Sequence, residues 1–433
     1  VPKNTKTGNK HGKGGNVLAT IVVEGGYRLK GTVTVSGSKN AVLPILAASL
    51  LARSKSTIKN IPNLEDVKVI CQCLKALGAE IVFENNNEVI IDSSNPIAFE
   101  APYDLVRKMR ASFLVAGPLL ATVGRVKISM PGGCAIGSRP IDLHLKGFKA
   151  LGAEIMLGHG FIEMSCNSLK GNRIYLDYPS VGATENIMMA SVLAEGETII
   201  ENAAEEPEII DLANYLCSMG AKIKGAGTDL IKIMGVKELK GSQYSVIPDR
   251  IEAGTFMIAA TITRGSIVIK NCIPEHLKSI IAKLNEAGVE ILEGDNEICL
   301  RAPEKIKAVD VKTLPYPGFP TDLQAQFMAL MSTVEGTSII TETVFENRFM
   351  HVDELKRMGA KIKIEGRSAI VEGCNKLSGA PVRATDLRAG AALVIAGLAA
   401  RGKTFVMDAY HIDRGYEKFE EKLRRIGAKV FRT

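Results

Sequence analysis

Six times along the chain an apolar pattern of helical period runs to the same close: an apolar residue, three more residues, Gly, then Ala or Val, a charge, and Ile or Val. The segments are LKALGAEI (74–81), FKALGAEI (148–155), LCSMGAKI (216–223), LNEAGVEI (284–291), LKRMGAKI (355–362) and LRRIGAKV (423–430). Their glycines, at 78, 152, 220, 288, 359 and 427, are separated by 74, 68, 68, 71 and 68 residues. Each segment predicts a helix stopped by a left-handed Gly just past its last turn, with a strand following at once.

Upstream of these lies a second shared element, an Ala-rich helix apolar around most of its circumference. NAVLPILAASLLARS, ATENIMMASVLAEG, EAGTFMIAATITRG and RAGAALVIAGLAARG are examples. Helices of this kind have no solvent face and must be buried. An alternating strand follows each, as in STIKNI, ETIIEN, SIVIKN, TSIITE and KTFVMD. The pattern is a β-α-β-α-β unit of roughly 70 residues repeated six times. Two helices per repeat, one of them fully buried, favour closed globular packing over an open solenoid. Three repeats per domain agree with the two or three domains expected for 433 residues.

Composition narrows the function. Aromatic residues make up 5% of the chain and Trp is absent, which argues against base-stacking surfaces and hence against nucleic acid as a partner. No run approaches 18 apolar residues and no cleavable-signal pattern opens the sequence, so a cytoplasmic protein without a membrane partner is expected. The eight cysteines are scattered. Only Cys71 and Cys73 are close, without the further Cys or His that a zinc site needs, so free thiols are expected. Net charge is +7, and Lys3, Lys6, Lys10, His11 and Lys13 fall in the opening segment. Residues 1–16, polar and Gly-rich, read as a disordered extension or an appended remnant. The remaining surplus is too small for a nucleic-acid binder but suits a cleft for small anions.

The repeat also separates scaffold from chemistry. From the end of the buried helix (Ser54, Gly124, Gly196, Gly265, Gly336, Gly402) to the next repeat glycine is 24, 28, 24, 23, 23 and 25 residues. The longest interval carries MPGGCAIGSRPIDLH (130–144), a Gly-dense insertion holding Cys134 and Arg139. Counting back from the buried-helix ends places Lys39, Arg110, Ser180 to Gly182, Asp249 with Arg250, Asp322, and Arg388 in the first turns. Helix N-termini attract anions, and cations there strengthen the attraction.

Taken singly, these residues admit two readings. Cys134 is an incidental loop thiol or a lowered-pKa nucleophile or acid beside a cation. Lys39 is a solvated charge or an anion ligand, and Asp322 is an N-cap or a working carboxylate. Arg348 and Arg414 are surface ion-pair partners or site cations. His144, His351 and His411 lack metal-ligand spacing and read as structural, and no Walker or dinucleotide fingerprint is present.

From about residue 17 onward the chain resembles the UDP-N-acetylglucosamine 1-carboxyvinyltransferases of the enolpyruvyl transferase family. The likeness is carried by SGSKNAVLPIL, APYDLVRKMRAS, PGGCAIGSRPIDLH, PSVGATENIM, AAEEPEIIDLAN, PDRIEAGTF, FPTDLQAQF, TETVFENRFMH, TDLRAG and HIDRGYEK. It implies a two-domain inside-out α/β barrel of six β-α-β-α-β-β units, three per domain, with buried helices pointing their N-termini into an interdomain cleft. The implied domains are 38–247, and 17–37 joined with 248–433. The implied reaction moves enolpyruvyl from phosphoenolpyruvate to the 3′-hydroxyl of UDP-N-acetylglucosamine and releases phosphate, an early step of peptidoglycan precursor synthesis that uses no metal or other cofactor.

By this resemblance Lys39, Arg139 and Arg414 hold phosphoenolpyruvate, assisted by Arg348 and Arg388. Cys134 is the general acid and Asp322 accepts the hydroxyl proton. Asn40, Arg110, Arg139, Pro140, Ile141, Asp142, Leu143, Ser180, Val181, Gly182 and Val344 contact the nucleotide sugar. No obligate protein partner is implied. Since cations of both domains would face one another, repulsion is expected to hold the empty cleft open. The shikimate-pathway enolpyruvyl transferases are the nearer alternative, but they lack a catalytic Cys. A non-catalytic nucleotide-sugar-binding paralogue is the other, and intact Lys39, Cys134, Asp322 and Arg414 speak against it.

Overall fold

A computed structural model of the chain describes residues 19–85, 87–130, 141–158, 160–374 and 376–433, with the backbone alone at 107, 108 and 110. The opening segment and the stretch bearing Cys134, Arg139 and Pro140 lie outside the described residues.

The Ala-rich segments form six inner helices: Lys39–Ala48, Ala116–Val123, Val181–Ser191, Arg250–Ile262, Gln324–Met331 and Leu387–Ala399. In the fourth, every residue from Ile251 to Ile262 is buried. Burying its Phe256, Met257 and Ile258 side chains stabilises the fold by about 1.5–3 kcal/mol each before entropy is counted. A strand and an amphipathic outer helix follow each inner helix, and the outer helix ends at a repeat glycine. All six repeat glycines have φ between +91° and +114°, the left-handed conformation that only Gly adopts without strain. The left-handed residue after the first and fourth inner helices is Arg53 or Arg264, one position before the Ser54 and Gly265 expected from the pattern. Gly265 is needed for another reason, since a Cβ there would fall 2.3 Å from the Leu29 carbonyl oxygen.

Among the described residues the strands assemble into six small sheets. In the fourth repeat Ser266–Lys270 pairs antiparallel with Glu297–Arg301, which pairs antiparallel with Glu290–Glu293, and pairs parallel with Lys30–Thr34. Ile267 and Ile269 face inward while their neighbours face out. The unit is thus β-α-β-α-β-β, one strand more than the periodicity gave, because a hairpin follows the outer helix in the first five repeats. Five sheets have four strands, and in the sixth the parallel partner is the single bridge Glu100–Lys127.

Buried apolar residues form two cores, one drawn from residues 41–246 and the other from 21–35 and 251–430. Ile21–Glu24 fills the hairpin-strand place of the sixth repeat, between Lys403–Met407 and Lys429–Arg432. Lys30–Thr34 leads the fourth repeat, and Gln243–Ser245 closes the other circle on Lys55–Lys59. The chain crosses between cores twice, and the crossings are bonded to each other: Ser38 N–H donates to Ile247 O at 2.7 Å and Asp249 N–H to Ser36 O at 2.9 Å. Among the described residues no helix is long and apolar enough to cross a membrane.

Candidate active site

The crossings bring inner-helix N-termini from both halves together. Lys39 opens the first inner helix behind its Ser38 cap. Asp249 caps two helices at once: its Oδ1 accepts from the N–H groups of Ile251 and Glu252, and its Oδ2 from Lys39 N–H at 3.1 Å. Asp386 caps the sixth helix through Arg388 and Ala389 N–H. Three of the six N-termini are thereby occupied by carboxylates, which satisfy N–H groups that the sequence left open to an anion.

Two charged clusters result. In one, Asp66 accepts from Lys39 Nζ at 2.9 Å and from Arg414 Nε at 2.8 Å. Burial opposes ionisation of Asp66, but Lys39 and Arg414 outweigh it and hold the carboxyl below its ordinary value. Lys39 and Asp66 belong to the first half, whereas Arg414 ends the turn Ala409–Arg414 of the second. The facing cations are thus joined through a carboxylate, and the expected repulsion across the cleft is replaced by a bridge.

In the second cluster Asp322 lies in the turn Thr321–Leu323 that leads into the fifth helix. It caps nothing with its side chain; Arg348 Nη2 donates to Oδ1 at 2.8 Å and Arg388 Nη2 to Oδ2 at 2.8 Å. Both arginines are buried, so Arg348 is not the surface partner its local sequence allowed. Arg388 is stacked 5.3 Å from the Tyr416 ring, whose hydroxyl is hydrogen-bonded to Thr255 and Gln326. Burial again opposes ionisation, but Arg388 and Arg348, with Lys39 assisting, hold Asp322 far below the usual carboxylate range. Lys39 therefore lies within electrostatic reach of both clusters.

The other residues singled out by the resemblance are set further along. Ser180 caps the third inner helix, accepting from Ala183 N–H, with Val181 and Gly182 in its first turn. A Cβ on Gly182 would sit 3.3 Å from His144, so the small residue lets that helix approach the neighbouring outer one. Ile141 and Leu143 pack on the first core, and Asp142 opens the outer helix in contact with solvent. Glu342, buried, accepts from Thr313, Thr321 and the N–H of Val344, fixing the loop that carries Val344. Tyr178, beside Ser180, has its hydroxyl pKa raised by burial and by the charges of Glu206 and Glu342. Asn40 is half-buried beside Lys39, and Arg110 opens the turn before the second inner helix.

Asp66 and Glu208 were not singled out from the sequence. Each lies twelve residues before a repeat glycine, Gly78 or Gly220. Glu208 bonds Arg250 at 3.0 Å just after the chain has crossed to the second half. Aligning the repeats on their glycines finds both.

The same architecture recurs in solved enolpyruvyl transferases. The enolpyruvyl transferase NikO from Streptomyces tendae superposes with a TM-score of 0.86 at 26% identity, covering 96% of this chain and 99% of that one. EPSP synthase from Acinetobacter baumannii gives 0.76 at 20% identity over 96% and 100%, a likeness of fold. The family model for EPSP synthase (3-phosphoshikimate 1-carboxyvinyltransferase) matches residues 23–423. Much nearer in sequence is UDP-N-acetylglucosamine 1-carboxyvinyltransferase 2 of Carboxydothermus hydrogenoformans, 64% identical over 96% of this chain and all of its own length. UDP-N-acetylglucosamine 1-carboxyvinyltransferase 1 of Caldanaerobacter subterraneus subsp. tengcongensis is 62% identical over 95% and 99%. The chain belongs to the UDP-N-acetylglucosamine 1-carboxyvinyltransferase family.

Proposed function

We propose that this enzyme transfers the enolpyruvyl group of phosphoenolpyruvate to the 3′-hydroxyl of UDP-N-acetylglucosamine, releasing phosphate, in the cytoplasm. The observation that carries the reading is the match at 62–64% identity, over nearly the whole chain, to relatives named for that activity. An acceptor of the shikimate type has less support, its solved representative being 20% identical.

In this reading the domains are 38–247, and 17–37 with 248–433, and the substrates meet between them. Lys39 and Arg414, with Arg139, hold the phosphate and carboxylate of phosphoenolpyruvate. The sugar hydroxyl oxygen adds to C2 while C3 gains a proton from Cys134, giving a tetrahedral ketal. Loss of a C3 proton and departure of phosphate then restore the double bond. Asp322 takes the hydroxyl proton during addition. Its depressed pKa makes it a weak base, but it is ionised throughout the working range, and its oxygens have lone pairs beyond those used by Arg348 and Arg388. Asn40, Arg110, Arg139 to Leu143, Ser180 to Gly182 and Val344 hold the nucleotide sugar.

The test is phosphate release from phosphoenolpyruvate with each acceptor offered separately. Release with UDP-N-acetylglucosamine is expected. Release only with shikimate 3-phosphate, or nucleotide-sugar binding without any release, refutes the reading.

A further inference from the structure

Asp66 is a carboxylate where an anion is to bind. It is 4% exposed, and its two oxygens are taken by Lys39 at 2.9 Å and Arg414 at 2.8 Å, with Arg414 Nη2 a further 3.5 Å contact. It stands second in the outer helix Glu65–Leu77, whose N-cap residue Leu64 supplies no side-chain acceptor, so the helix dipole also favours its charge. Glu208, at the equivalent place of the third repeat, likewise grips an arginine of the other half. In the first and third repeats this position thus reaches a cation of the other half. A carboxylate here cancels one of two positive charges and weakens the grip on any resting anion, so a site built for tight ground-state binding alone would lack it.

We propose that Asp66 is a positioning residue: it fixes Lys39 and Arg414 and restrains the site's affinity for a resting anion, so that the cations act on the transition state and the phosphate product leaves. This rests on the reading of Lys39 and Arg414 as phosphoenolpyruvate ligands. Interactions that favour ground and transition states equally do not raise turnover, whereas loss of a restraint on ground-state binding lowers KM and kcat together.

The experiment uses the full chain with inorganic phosphate as a competitor of phosphoenolpyruvate at saturating UDP-N-acetylglucosamine. For Asp66→Asn the phosphate inhibition constant is expected to fall about tenfold while kcat falls about tenfold or more, with KM for the nucleotide sugar unchanged. Asp66→Glu, which restores the charge, should recover part of kcat. Asp66→Ser serves as a second variant, and loss of fold in Asn and Ser variants alike would make the residue structural and overturn the inference. Phosphate inhibition that weakens or stays constant in folded Asp66→Asn also overturns it. Lys39→Ala and Arg414→Ala run in parallel should weaken phosphate inhibition; if they do not, the fault lies in the reading of the cations, whatever Asp66 does.

Discussion

Asp322→Asn is the substitution for which the structure yields the sharpest expectation. It removes the charged partner of two arginines whose side chains are 4% and 3% exposed. Breaking a buried ion pair by deleting one member costs about 3–5 kcal/mol, because the survivor keeps its desolvation penalty. Here the Asn carbonyl oxygen still accepts from one arginine, and the Asp322 side chain, 25% exposed, admits water to the other. The expected loss is therefore about 2–4 kcal/mol. For a half of this size that lowers Tm by about 5–15 °C. Calorimetry reads this loss, and initial rates should show transfer nearly abolished. The pH dependence adds a check of sign. The folded-state pKa of Asp322 lies far below the unfolded one, so its contribution is full above about pH 4 and fades only as pH falls toward the folded value. The Tm gap between native and variant should hold from pH 7 to about pH 4 and narrow below. Adding Arg388→Gln should return part of the lost stability without returning activity, since a neutral pair replaces an orphaned charge. An unchanged Tm would mean that the arginines have other partners; near-native turnover in the Asn variant would remove Asp322 from proton transfer.

Lys39→Ala and Arg414→Ala should each lower turnover by well over about tenfold, and Lys39→Ala should also lower Tm because it strands a buried Asp66; rates and calorimetry on the same samples check both. Burial pushes the Cys71 and Cys73 thiols up to about 12, so iodoacetamide at neutral pH should leave them unlabelled in mass mapping, while a small phosphonate epoxide should add at Cys134. Cys134→Asp should keep measurable transfer at mildly acidic pH where Cys134→Ser does not, as an acid role requires. Gly220→Ala, at φ +110° with open space around it, should cost about 1–2 kcal/mol and leave activity intact, whereas Gly37→Ala drives a Cβ to within 1.8 Å of Asn60 O and should disturb the crossing and the rate; urea unfolding and turnover together separate them.

What the sequence disclosed is what repetition disclosed. The left-handed glycines, the buried helices and the first-turn positions recur at a fixed period, so each occurrence supports the others. The partners of the site residues escaped because pairing is a long-range property. Asp66 reads locally as an acid suited to any helix N-terminus, and nothing near it names Arg414, 348 residues away. Asp322 resembles an N-cap because its Thr-Asp context is that of one, and only the fold brings Arg348 and Arg388 to it. For the same reason Lys39 and Arg414 look dispensable for stability until their shared carboxylate is seen. The strand Ile21–Glu24 is likewise invisible as part of the sixth repeat, since it lies at the other end of the chain from the strands it joins.

Six similar units build an unsymmetrical site because the scaffold constrains each repeat at its glycine and core positions and leaves the inner-helix caps free to differ. Asp249 closes the N-termini of the first and fourth helices, and Asp386 closes the sixth. A carboxylate at these ends satisfies the orphan N–H groups and repels a second anion, so in the proposed function the binding there falls to cationic side chains. Lys39, Arg388 and, from a following turn, Arg414 stand at those places. The third helix is capped by the hydroxyl of Ser180, which brings no charge and leaves the dipole available. In the proposed function that end belongs to the nucleotide sugar, whereas phosphoenolpyruvate is held by the side-chain cations. On that proposal the two anionic substrates meet chemically different receptors at equivalent points of one repeat.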